Sequence, residues 1–166
     1  MEFIDVVDEN DKVVGSASQK EVYKKLLPHR IAHVLVFNEG GEMALQMRSA
    51  TKGFCPLHRS TTAGGHVQSG ETYEQAALRE MREEIGTSIA VEKIGKDLYI
   101  DSGRGLKKFL YTFKASSNGP FKVDHNEVER VEFFDLDKIQ QMIKAGEKFH
   151  PELLFILEKR FGVNVK

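Results

Sequence analysis

The residues best placed to do chemistry lie between Gly65 and Thr87. Glu80, Glu83 and Glu84 stand at i, i+3 and i+4, with Arg79 just before them and Glu71 further upstream. At 100° per residue, the α-helical period, Ala77, Leu78, Met81 and Ile85 form an apolar stripe, and the three carboxylates fall together on its flank. Carboxylates crowded on one patch repel each other in water and cost more beside a core. A hard divalent cation resolves that conflict, because Mg²⁺ takes carboxylate oxygens together with waters and substrate phosphates. Such a centre suits hydrolysis at a substrate phosphate, which needs charge neutralisation, an in-line water and a weak base. Metal supplies the first two and a carboxylate can supply the third. Glu71 can fold back toward the same patch, and Arg79, four residues before Glu83, is within ion-pairing reach of it. A Glu-rich helix carrying Arg is otherwise an ordinary solvated face.

These side chains need a helix to hold them. Thr72 with Gln75 three residues on makes a capping box. Gly86 stands where a left-handed C-cap residue belongs. The spacing therefore predicts a helix over 73–85. Upstream, residues 2–7 and 12–17 read as a hairpin around the Asp8-Glu9-Asn10-Asp11 turn. Ser18 opens a short helix that stops before Pro28. Residues 31–37 and 43–47 pair across Asn38-Glu39-Gly40-Gly41, and 49–60 read as irregular. Further strands are expected near 88–95, 97–101, 107–114 and 129–134, with helices over 136–145 and 151–161 whose Phe and Leu residues are core contacts. Strands before, between and after a few helices imply a mixed sheet with helices on its faces.

Composition bounds the function classes. The chain has 166 residues, 24 Lys+Arg, 25 Asp+Glu and one Cys. That length suits a single domain over 1–166. One cysteine excludes an intrachain disulfide and leaves no Cys-based zinc site. A net charge of -1 lacks the basic excess of a nucleic-acid binder. No apolar run approaches the ~20 residues that span a bilayer. Met1-Glu2-Phe3-Ile4-Asp5 lacks a signal peptide's basic start, so the expected location is the cytoplasm, with no membrane partner.

The segment 65–87 fits the Nudix box, Gly-x5-Glu-x7-Arg-Glu-(apolar)-x-Glu-Glu-x-Gly-(apolar), with Gly65, Glu71, Arg79, Glu80, Met81, Glu83, Glu84 and Gly86 in its places. Only Thr87 departs, at an apolar place that carries no ligand. The fixed identities would coincide by chance with a probability on the order of 10⁻⁹ per start position. The chain thus resembles a Nudix hydrolase. The resemblance implies an α/β fold, an α/β/α sandwich with a mixed sheet, and Mg²⁺- or Mn²⁺-dependent hydrolysis of a small-molecule diphosphate. It implies metal ligation by Glu80, Glu83 and Glu84, and Glu71 is a further candidate ligand. Glu83 or the late-loop Glu127 would be the base, Arg79 would hold a box glutamate, and Gly65 would shape the loop. Homodimers are frequent in the family.

A narrower resemblance runs outside the box. Leu27-Pro28-His29-Arg30, Phe37-Asn38, Leu45-Gln46-Met47-Arg48, Lys52, Pro56 and Gly65-His66 follow the layout of isopentenyl-diphosphate isomerases and of an isomerase-like bacterial subgroup of Nudix hydrolases. That layout implies a second metal site from His29, His66, Glu127 and Glu129. The isomerases place an essential Cys where this chain has Gly64, and their box is degraded where this one is complete. Hydrolase is therefore the leading reading. An isomerase and a catalytically silent binding module are the alternatives. Each secondary site also has a plain structural reading. His29 would cap a helix end and Glu127 and Glu129 would form an acidic turn, while Arg48 and Lys52, with Gly65 the candidate substrate-binding residues, are phosphate contacts or equally surface charges. His33 reads as a satisfied core histidine. Ser102 to Lys108, Gly-rich and basic, lacks P-loop spacing and reads as a hairpin turn or a phosphate-contacting loop.

Overall fold

A computed structural model describes residues 2–166; Met1, which the sequence reading includes, lies outside them. Among the described residues there are nine strands and four helices. They run β1 (Phe3–Val7), β2 (Val13–Ser18), α1 (Gln19–Lys25), β3 (His29–Phe37), β4 (Met43–Arg48), β5 (Arg59–Ser60), β6 (Ala63–His66), α2 (Tyr73–Ile85), β7 (Glu92–Ile100), β8 (Lys107–Ser116), β9 (Val128–Phe134), α3 (Leu136–Lys144) and α4 (Pro151–Phe161).

The sheet is mixed. β3 runs parallel to β8 over its whole length and antiparallel to β6, while β4 pairs antiparallel with β9. Alternation along β3 sorts its side chains between two cores. Ala32, Val34 and Val36 face α2, joined there by Ala76, Ala77, Met81 and Ile85. Ile31 and Leu35 face the opposite side, where Ile139 of α3 and Leu153, Ile156 and Leu157 of α4 cover the sheet. Helices on both faces make the expected sandwich. The Phe and Leu residues of α4 are core contacts, as expected.

Three expectations change. The strands expected at 88–95 and 97–101 are one strand, β7. Its pairing with β8 shifts register between Lys93 and Gly95, a bulge that lets the strand continue through the glycine. The segment read as irregular ends in the short strand β5, which pairs with β4, and the box loop begins as strand β6. His29 does not cap α1, because Leu26 ends that helix in the left-handed region with φ 55°. His29 instead opens β3. The N-terminal hairpin is present, with β1 and β2 paired from Phe3↔Ser18 to Val7↔Val13. None of the helices is long and apolar enough to cross a membrane.

Candidate active site

α2 is bounded as its sequence requires. Thr72 accepts from the Gln75 backbone N–H and Gln75 answers on the Thr72 N–H. Gly86 ends the helix at φ 74°, and a side-chain carbon there would sit 2.6 Å from the Lys122 carbonyl oxygen. The residue therefore meets both a backbone and a packing demand for glycine.

Arg79 organises the acidic patch. Its Nε and Nη2 donate to the two Glu71 oxygens at 2.7 and 2.9 Å. Its Nη1 donates to Glu80 at 2.8 Å and to Glu83 at 3.3 Å, and its Nη2 also reaches the His66 carbonyl at 3.0 Å. One planar guanidinium thus ties the loop after β6 to the acidic flank of α2. Glu71 additionally accepts the Gln68 N–H at 2.9 Å. Burial raises the Glu71 carboxyl, but Arg79 outweighs it and holds the group below the usual range.

Glu84 is buried and accepts from Gln46 Nε2 at 2.7 Å and the Gly64 N–H at 3.3 Å. Glu80 is its hydrogen-bonding neighbour. Burial pushes both carboxyls up; Glu80 adds to the rise at Glu84, which goes well above the usual range, whereas at Glu80 the Glu84 hydrogen bond and Arg79 partly offset it. A side-chain carbon at Gly65 would sit 2.5 Å from the Glu80 carboxyl carbon, so only glycine lets that carboxylate lie against the loop. Glu83 is more open, its side chain 55% exposed. Among the described residues, no three His, Cys, Asp or Glu side chains yet converge as a closed ligand set. The pair of partly buried Glu80, held by Arg79, and buried Glu84, which has no ion-pair partner among the described residues, has the donor chemistry that a hard divalent cation requires.

These groups face a cavity of about 640 Å³ whose lining includes Glu80, Glu83, Glu84, Gly65, His66, Arg48, Lys52 and Glu127. Glu127 forms an ion pair with Lys52 at the cavity edge. Arg48 donates to the Phe54 and Cys55 carbonyls and so pins the 49–58 loop. Of the four residues read as a second metal site, the two histidines are brought together and the two glutamates lie apart from them in other contacts. The His29 and His66 rings lie 5.6 Å apart, Glu127 is engaged by Lys52, and Glu129 is exposed and lies outside the cavity lining. His29 is buried and burial lowers it to about 4, so it is neutral at pH 7. His66 Nε2 meets the Tyr23 hydroxyl at 2.7 Å.

The other wall of the cavity was anticipated in the sequence only at Lys108, the end of the basic 102–108 stretch. Tyr23 of α1, Lys108 of β8 and His150 and Glu152 at the start of α4 line it. His33 is the expected buried and satisfied histidine, between Thr61 at 2.8 Å and Glu152 at 2.9 Å, and it also lines the cavity. A signal for the missed pair does exist. Lys108 shares the strand phase of buried Leu110, and Glu152 sits one turn before buried Ile156, so each places a charge on an apolar face.

Comparisons with known proteins agree with this geometry. The NUDIX domain family matches residues 27–155. An uncharacterized Nudix hydrolase of Pseudomonas aeruginosa, PA4841, is 33% identical over 132 residues, covering 80% of this chain and 78% of that protein. The uncharacterized Nudix hydrolase YfcD of Escherichia coli K12 is 31% identical over 131 residues, covering 78% and 72%. The crystal structure of DR0079 from Deinococcus radiodurans superposes with a TM-score of 0.82 at 25% identity, over 96% of this chain and 99% of that one. Fold, box and relatives converge: the chain belongs to the Nudix hydrolase family, whose members act on acid anhydrides in phosphorus-containing substrates and generally use divalent metals.

Proposed function

We propose that this chain hydrolyses the diphosphate linkage of a small organic diphosphate, such as a nucleoside diphosphate derivative, with Mg²⁺ or Mn²⁺ held by Glu80, Glu83 and Glu84. The observation that carries the reading is buried Glu84, which has no ion-pair partner among the described residues and lies against the carboxyl of Glu80. Two facing carboxyls in a dry site are costly unless a cation compensates them. When bound, the metal neutralises phosphate charge and makes a bound water more acidic.

The protein's own groups do the rest. Glu71 has both oxygens engaged by Arg79 and Gln68, so its role is to fix Arg79 rather than to bind metal. Arg79 in turn sets the positions of Glu80 and Glu83. Glu83 faces the cavity and has only the 3.3 Å contact with Arg79, which leaves oxygen lone pairs free to orient a water and take its proton. Glu127 is tied to Lys52 and is the less available base.

The isomerase alternative loses support at Gly64. A side-chain carbon there would stand 2.8 Å from His33 Nδ1 and 2.9 Å from the Ala32 carbonyl, so the loop has no room for a cysteine without rearrangement. The test is a release assay over a panel of diphosphates, including isopentenyl diphosphate, with Mg²⁺ and with Mn²⁺. Metal-dependent cleavage that disappears in Glu83→Gln is expected. Isomerisation without cleavage would overturn the reading, and neither reaction with unimpaired metal binding would favour a silent binding module.

A further inference from the structure

We propose that Glu152 and Lys108 are the specificity-determining pair of this cavity, reading hydroxyl groups on the organic moiety that carries the diphosphate. The inference rests on the hydrolase reading above and goes beyond it. The pair lines the same cavity as the box glutamates, on another wall.

The geometry is that of a hydroxyl receptor. Glu152 Oε1 accepts from His33 Nε2 at 2.9 Å and Oε2 accepts from Lys108 Nζ at 2.9 Å. Each oxygen therefore has one partner, while an ionised carboxylate offers about four lone-pair sites. Lys108 directs one of three N–H donors to Glu152 and a second toward the Tyr23 hydroxyl, lying 5.4 Å from that ring's centre, which leaves one donor over. An acceptor and a donor thus stand side by side with capacity left over. A hydroxyl both donates and accepts, so it satisfies the two at once, and neighbouring hydroxyls of a sugar can do so repeatedly.

The wall is also hostile to the opposite chemistry. Glu152 and Lys108 are buried, with 5% exposure each. Burial would raise the Glu152 carboxyl, but His33 and Lys108 outweigh it and hold the group well below the usual range, so it is ionised. An isoprenoid chain laid here would strip the remaining water from two charges and return no hydrogen bond. Sites built to bind a substrate hydroxyl reject analogues lacking it far more strongly than apolar pockets reject an added one.

The test is calorimetric binding to the full-length Glu83→Gln protein in Mg²⁺, with ADP-ribose and geranyl diphosphate as probes. The expected result is a preference for ADP-ribose on the order of 10²-fold. That preference should collapse to within about threefold in a Glu152→Gln/Lys108→Met background, which removes both charges together and leaves no unpaired buried ion. If that background does not fold, Glu152→Gln alone carries the same comparison. Equal or tighter binding of geranyl diphosphate, no measurable binding of either probe, or a preference that survives the substitutions overturns the inference. So does an equal loss of affinity for both probes, which is what a merely structural ion pair would give. Absence of metal-dependent cleavage by the unmodified protein would instead overturn the hydrolase reading, and the comparison of affinities would still stand.

Discussion

Arg79 holds more of the site than any other residue, because its guanidinium meets Glu71, Glu80, Glu83 and the His66 carbonyl. Lysine carries the same charge without the planar fork. Arg79→Lys should therefore lower kcat about 10–100-fold, the usual cost of disturbing groups that orient metal ligands, with little change in the melting temperature. Steady-state kinetics beside a thermal melt would check this, and unchanged kcat would refute the clamp. Gly65→Ala probes the same patch sterically. The added carbon must displace the Glu80 carboxylate, so activity should fall sharply while circular dichroism stays native. Wild-type activity would show that the close approach is dispensable. The clustering of these side chains was legible in the sequence because carboxylates on one helical flank follow a local pattern with a fixed period. The absence of room at Gly64 was not legible, since it depends on His33 and Ala32 across the β3–β6 pairing.

Between elements, one turn residue adds a charged fastening of the N-terminal hairpin to the body, beside the β1–β3 pairing. Asp11 is buried in a left-handed conformation, with φ 62°. It accepts from Arg30 of β3 at 2.7 Å, Tyr73 of α2 at 2.8 Å and Lys96 of β7 at 2.8 Å. Burial raises its carboxyl, but Lys96, Arg30 and Tyr73 outweigh it and hold the group below its ordinary value of 3.8. A depressed folded-state pKa means that the unfolded chain takes up the proton first. The stabilisation is present above the ordinary carboxylate range and is lost as pH falls through the folded value. Chemical denaturation at pH 7 should show Asp11→Ala less stable by about 3 kcal/mol, the cost of breaking a buried charge pair. Below pH 4 that gap should narrow, and a constant gap would contradict the assignment. The hairpin itself was legible from its turn residues. The partners of Asp11 were not, because they come from three elements that only the fold brings together.

Across the whole molecule, α4 is joined to the sheet by apolar contacts and by one buried ion cluster. Glu152 meets His33 from 119 residues away in the chain and Lys108 from 44. No local period could reveal such a pairing, which explains why the box wall of the cavity was readable and the opposite wall was not. The merging of two expected strands into β7 has a similar cause. The expected interruption between 95 and 97 is absent, because pairing with β8 takes Gly95 into a bulge. Removing one member of the cluster should cost more than removing both charges. Glu152→Ala should lose about 3–5 kcal/mol, and Glu152→Gln/Lys108→Met distinctly less. At this chain length each kcal/mol corresponds to a melting shift of about 2–4 °C, so calorimetric melts would rank the variants, and equal losses would contradict the account.

The claim on which the molecule's function turns is that the buried box carboxylates hold the metal that drives cleavage. It is tested most directly by following phosphate-bond cleavage of the best panel substrate as a function of Mg²⁺ concentration, in the unmodified protein and in Glu84→Gln. The account predicts saturable Mg²⁺ dependence in the first and a rate lower by on the order of 10²–10³-fold at every Mg²⁺ concentration in the second, the scale of losing one preorganised electrostatic group. Superimposable curves, or a full rate in excess chelator, would contradict it.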